Sequence, residues 1–211
     1  RPRDWSSDVC SSDLAGSTFA NYVGVSGAAP GLIPGFTETR VNTWPSCGIV
    51  SGGGVLIPNG QLTLLSITDG TSNTIIASEH SNFLRDTAGV KQDWRASMTW
   101  GWYLGVKSAG VPPNFDNGGA DNREPILMTI RYAVNYTPPA GWASDIGGTG
   151  VGYDPSNANY TGANVPPNST HSGGVNVAYA DGSVRFVADS TPLGVLARLA
   201  TRDDGTVVPN Y

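Results

Sequence analysis

His171 stands ten residues ahead of Asp181-Gly182 in the stretch HSGGVNVAYADGSVRF, and a two-residue alternation runs between them. A histidine and a carboxylate are the side chains that together move a proton or hold a metal ion, so their separation decides which chemistry is open to them. Ten residues of extended chain at about 3.3 Å each cover roughly 33 Å, and the strand between the two residues alone covers about 20 Å. His171 and Asp181 are therefore predicted to act apart. Asp181 shapes a turn. His171, carried back in the same register, falls near Asp189 to Pro192, where Gly173-Gly174 lets the chain bend, and is expected to hydrogen-bond a backbone carbonyl or a carboxylate there. Catalysis ranks below this structural role, because a lone histidine has no nucleophile or second ligand at motif spacing.

The element that positions these residues is a hairpin. Asp-Gly between two alternating runs is the signal of a two-residue type I′ turn, whose central residues both need positive φ. Such a loop pairs Tyr179 with Val184, Val177 with Phe186 and Val175 with Ala188, placing all of these apolar side chains on one face and Asn176, Ser183 and Arg185 on the other.

Other chemistry-bearing groups are sparse. The chain has no Gly-x-Ser-x-Gly elbow, no His-Glu-x-x-His, no paired cysteine ligands and no Gly-Lys-Ser/Thr phosphate loop. Its 2 histidines, His80 and His171, exclude a histidine-rich zinc site within one chain. Asp116, Asn117, Asp121 and Asn122 in one loop, with Asp145 and Asp154 in another, offer oxygen ligands suited to calcium. Neither loop has EF-hand spacing, and solvated acidic loops are commoner than calcium sites, so no cofactor is expected. Trp94, Trp100 and Trp102 form a cluster that reads either as a sugar-stacking platform or, more commonly, as packing.

Composition narrows the classes further. With 28 glycines and 15 prolines among 211 residues, the chain favours strands, turns and long loops. The length suits one domain. A net charge of -5, from 17 acidic and 12 basic residues with no basic run, argues against nucleic acid or an anionic membrane surface as a partner. No apolar stretch approaches the roughly 20 residues of a membrane span. Residues 4 to 14, DWSSDVCSSDL, match the translation of a sequencing-adaptor oligonucleotide in one frame, so residues 1–14 are expected to be non-biological and 15–211 to be the single domain. Cys10 then drops out of any pairing, and Cys47 reads as a small packed side chain. A leader or anchor ahead of this point is left open.

Along the remaining chain, FANYVGVSG (19–27), Val55 to Ile57, Leu62 to Ile67, Asn73 to Glu79 and LMTIRYAVNY (127–136) read as strands. Residues 137–170 form a long Gly/Asn/Pro-rich loop, either functional or mobile. One helix closes the domain: Ser190 or Thr191 caps it, Pro192 takes its first position, Leu193, Leu196, Ala197 and Ala200 repeat at helical spacing, and Gly205 stops it. TVV (206–208) reads as a last strand. The class is α+β, mainly antiparallel β with long Gly/Asn-rich loops and a short C-terminal helix.

His171, nine residues, Asp181-Gly182, then SVRFVADS and LATRDDGTVV resemble the C-terminal motif of the prepilin-type processing-associated His-x9-Asp-Gly family, also called domain of unknown function 1559, which is abundant in planctomycetes. NYVGVSG, ITDGTSNTIIASE and TIRYAVNY are similar to its internal signatures, so the resemblance covers about residues 15–211 and makes Asp69, Gly70, Asn73, His171, Asp181 and Gly182 motif positions. It implies a non-enzymatic, pseudopilin-like protein exported to the cell envelope, surface or exterior, with a link to type II secretion or a pilus-like system. It implies a pilin-like head lacking its N-terminal helix, self-assembly or association with other pilin-like subunits, and membrane contact only through that helix. The family supplies no catalytic residues. A head built to be covered by such a helix is expected to expose an apolar strip. The alternative is an extracellular glycan- or ligand-binding module using Trp94, Trp100 and Trp102; an enzyme ranks last.

Overall fold

β-Branched and small residues alternate through YVGVSGA, and Tyr22–Ala28 forms β1 of a five-stranded sheet in the computed structural model, which describes residues 21–44, 48–81, 83–93, 109–115, 127–140, 162–206 and 208. The sheet order is β7-β1-β4-β8-β9, with β4 at Ile75–Glu79, β7 at Leu127–Ile130, β8 at Gly174–Tyr179 and β9 at Val184–Ala188. All its pairs are antiparallel except β1 with β7. Two small ladders stand apart: β2 (Val41–Trp44) with β3 (Gly48–Ser51), and β5 (Phe83–Arg85) with β6 (Lys91–Asp93). Residues 1–14 and Cys47 lie outside the described residues.

One face of the sheet is closed. Val23, Val25, Ile75, Val175, Val177, Tyr179 and Val187 meet Leu196, Ala197, Leu199 and Ala200 of α1 (Leu193–Ala200), and all are buried. Burying an aliphatic side chain stabilises by about 1.5–3 kcal/mol relative to exposure, so this layer dominates the stability of the fold. The opposite face is different. Leu127, Gly24, Ala77, Ala178 and Val184 sit side by side across the strands, a row of small and aliphatic residues. Tyr22 and Phe186 flank it, and Tyr22, Val184 and Phe186 are 62%, 66% and 51% exposed. Val55, Leu56, Ile57 and Gly60 wall a groove of about 470 Å³ over Tyr22, Gly24, Ala77 and Leu127.

The β2–β3 hairpin and the glycines after it seat on the β1–β7 end of the sheet through their backbone N–H groups. Ser51 N–H donates to Thr129 Oγ1 at 2.9 Å and Gly54 N–H to Ser26 O at 2.7 Å. A Cβ on Gly54 would stand 2.6 Å from Gly27 N, so this approach requires glycine.

Several expectations change. The hairpin loop is one residue longer than predicted: Gly182 N–H bonds Tyr179 O at 2.9 Å, Tyr179 N–H bonds Ser183 O at 2.8 Å, and only Gly182, at φ 83°, is left-handed. This is a type I turn followed by a left-handed glycine, in place of a type I′ turn. The register becomes Ala178 with Val184, Val177 with Arg185, Asn176 with Phe186, Val175 with Val187 and Gly174 with Ala188. A one-residue slip exchanges the faces, which is why Val184 and Phe186 leave the core side. Val55 to Ile57 form no strand, and Leu64–Ser66 is a 3₁₀ turn inside the expected strand Leu62 to Ile67, with Leu65 90% exposed. The strand expected over 127–136 ends at Ile130. Pro192 is the N-cap of α1, its carbonyl accepting Leu196 N–H at 3.1 Å, and no side chain caps it. The helix ends at Ala200 with Thr201 extended, ahead of Gly205, and neither Thr206 nor Val208 is in a strand.

Candidate functional site

Asp69-Gly70-Thr71-Ser72-Asn73 is a turn that closes on itself. Gly70 takes φ 99°, Asn73 N–H bonds Gly70 O at 3.0 Å, and Asn73 Nδ2 donates to Asp69 O at 3.1 Å. Its outer carbonyls hold the hairpin tip: Thr71 O accepts Asp181 N–H at 3.1 Å and Thr74 O accepts Ala180 N–H at 2.9 Å. Five motif positions, Asp69, Gly70, Asn73, Asp181 and Gly182, thus meet at one end of the sheet.

Their carboxylates are engaged by backbone. Asp69 is buried and receives Asp204 N–H on Oδ2 at 2.6 Å and Gly205 N–H on Oδ1 at 3.1 Å, while its own N–H bonds Arg202 O at 3.1 Å. Asp181 is exposed and accepts Ser183 N–H at 2.9 Å. The Asp181 bond fixes local chain direction, the role of a turn-capping carboxylate, whereas the Asp69 bonds tie its turn to the segment after α1.

His171 lies at the other end of β8, apart from Asp181 as predicted. The backbone junction is where the register placed it, since Asp189 N–H bonds Gly173 O at 2.9 Å. The side-chain partner differs from expectation. Asp189 Oδ1 accepts Asn135 Nδ2 at 2.7 Å, and His171 Nε2 instead faces Glu79 Oε1 at 3.6 Å, an electrostatic approach longer than a hydrogen bond. Glu79 is buried and accepts Asn176 N–H at 2.8 Å and Asn176 Nδ2 at 3.1 Å. Sequence reasoning missed Glu79; its signal was a carboxylate ending an otherwise apolar strand. His80 is also buried, bridging to Asn168.

A second polar cluster escaped the sequence altogether. Arg40 is gripped from two sides, by Glu38 at 2.8 Å and Asp203 at 2.7 Å, and these bonds hold its guanidinium pKa well above the ordinary value. Arg202 Nη1 donates to Gly52 O and Gly54 O, each at 2.6 Å, and burial pushes its pKa down. Its signal was only the RDD run after α1.

Asp204 completes this region. Its side chain is fully buried, Oδ1 accepts Thr206 N–H at 2.9 Å, and Oδ2 has no hydrogen-bond partner among the described residues. Burial, reinforced by the Asp69 charge, raises its pKa above the ordinary 3.8. A carboxyl bound more tightly to its proton in the folded state contributes stability fully below that ordinary value and loses it as pH rises through the raised one. Thermal midpoints of the parent are expected to fall across that window relative to Asp204→Asn, and parallel curves for the two proteins would refute the assignment.

Trp94, Trp100 and Trp102 lie outside the described residues, as do Asp116, Asn117, Asp121, Asn122, Asp145 and Asp154. Among the described residues no group of three or more histidine, cysteine or acidic side chains could hold a metal, and no helix is long and apolar enough to cross a membrane.

What emerges is a mainly β α+β domain whose motif residues are joints between chain segments. A family model, protein of unknown function (DUF1559), matches residues 7–194, and the chain belongs to that family. No curated protein and no solved structure matches the chain. The family match ends inside α1, short of the Arg202–Gly205 segment that clasps Asp69.

Proposed function

We propose that this chain is the globular head of an exported, non-enzymatic, pseudopilin-like protein of the cell envelope or surface, built to associate with other pilin-like subunits. The supporting observation is the outer sheet face. Gly24, Ala77 and Ala178 make a floor of minimal side chains between Leu127 and Val184, beside an apolar groove that Tyr22 borders at the start of β1. Small residues let an apolar helix lie close to a sheet, and the dispersion gained grows with that closeness. The residues at the Asp69 turn fit the same role, since they lock the sheet rather than present reactive groups.

The test begins with the source locus upstream of the codon for Ala15. A frame encoding a prepilin-type cleavage site and an apolar helix is the expected result, with the full-length product partitioning into the membrane fraction and a product lacking that helix released from it. An ordinary signal peptide or an unrelated domain in that position would overturn the reading.

A further inference from the structure

The two edges of the five-stranded sheet are finished differently. At the β7 edge, Thr129 N–H donates to Ala163 O at 2.8 Å and Thr129 O accepts Asn164 Nδ2 at 3.2 Å, so a neighbouring segment occupies the backbone. At the β9 edge no strand follows among the described residues. Tyr179 N–H bonds Ser183 O and Asp189 N–H bonds Gly173 O, at 2.8 and 2.9 Å, which sets the phase of the ladder. Odd-numbered residues of β9 bond β8, and the N–H and C=O of Val184 and Phe186 point outward.

The same two residues carry exposed apolar side chains, 66% and 51% accessible. An unpaired edge is usually guarded by proline, lysine, a bulge or a projecting charge. VRFVA has no proline or lysine, and its pairing runs without a bulge. Its one charge, Arg185, is exposed but turned back over β8, with the guanidinium 4.5 Å from the centre of the Tyr179 ring.

We propose that β9 pairs antiparallel with β9 of a second copy of this chain, about a two-fold axis at Arg185, with Val184 opposite Phe186 of the second copy. The strand is self-complementary in this register. A two-fold axis sets each outward-bonding residue against the other, so both pairs exchange N–H···O bonds. Each also joins a β-branched side chain to an aromatic one on the outer face, a favourable cross-strand combination. The two Arg185 residues meet at the axis, but each guanidinium rests over its own Tyr179 ring and points away from its counterpart. The row from Leu127 to Val184 then continues across the axis as one apolar surface.

Sedimentation equilibrium of the full chain over a concentration series, joined to amide hydrogen exchange, tests this. The expected result is a mass that doubles with concentration, together with at least tenfold slower exchange at Val184 and Phe186 in the dimer. Val184→Pro removes an outward N–H without touching the β8–β9 ladder, a position where sheets tolerate proline, and is expected to yield a folded monomer. Phe186→Lys, which places a charge on the edge, is expected to do the same and serves if the proline variant misfolds. A chain that stays monomeric at every concentration overturns the proposal. So does a dimer that survives these substitutions, or one that forms without slowed exchange at Val184 and Phe186, which would assign association to the sheet face.

Discussion

Tyr179→Ala is expected to lower unfolding stability by about 4 kcal/mol in chemical denaturation, the range for deleting a fully buried aromatic side chain. Tyr179 is 0% exposed, sits at the last position of β8 against Ile75, and carries Arg185 over its ring. The loss combines the transfer of the ring with a cavity that the flanking strands cannot close, because the hairpin tip is fastened to Thr71 and Thr74. Tyr179→Phe keeps the ring and is expected to lose about 1 kcal/mol. An alanine variant within 1 kcal/mol of the parent would show that the strands repack.

Asp69→Ala is expected to cost about 3 kcal/mol, since hydrogen bonds to an ionised acceptor contribute roughly 1.5–3 kcal/mol each and their loss strands buried donors. Two backbone N–H groups, of Asp204 and Gly205, depend on this carboxylate. Relief of the repulsion with Asp204 offsets part of the loss. Asp69→Asn is expected to recover less than half of it, because an amide offers one oxygen and turns its NH₂ toward the other donor. Faster amide exchange at Asp204 and Gly205 in both variants would locate the damage, and unchanged exchange there would contradict it.

What could be read from the residues was mostly local. The Asp181-Gly182 turn, the strand ending at Glu79, the presence of β1 and a helix after Pro192 all follow from short-range punctuation and period. The hairpin register did not, because VRFVA carries apolar residues on both of its faces and alternation alone cannot choose between loops of two and three residues. Tertiary bonds to Thr71 and Thr74 accompany the longer loop. Leu62 to Ile67 has strand composition but no partner strand, and a 3₁₀ turn results. The parallel pairing of β1 with β7 and the Arg40 and Arg202 clamps join segments far apart in the chain, where no local pattern reports them. Of the motif positions, the turn residues were legible as turns; that Asp69 would be clasped by Asp204 and Gly205 was not.

The clasp also sets an order of events. Arg202 N–H bonds Gly53 O at 3.0 Å, its side chain ties Gly52 and Gly54, Asp203 holds Arg40, and Asp204 and Gly205 close on Asp69. Every one of these partners is synthesised more than a hundred residues earlier, so the growing chain carries unfilled acceptors and donors until this segment emerges. Closing such long loops is slow, and domains rich in distant contacts fold in milliseconds to seconds rather than microseconds. These contacts are completed from the C-terminal side: the Gly52 and Gly54 carbonyls, Arg40 and Asp69 gain their partners only when residues 202–205 are present.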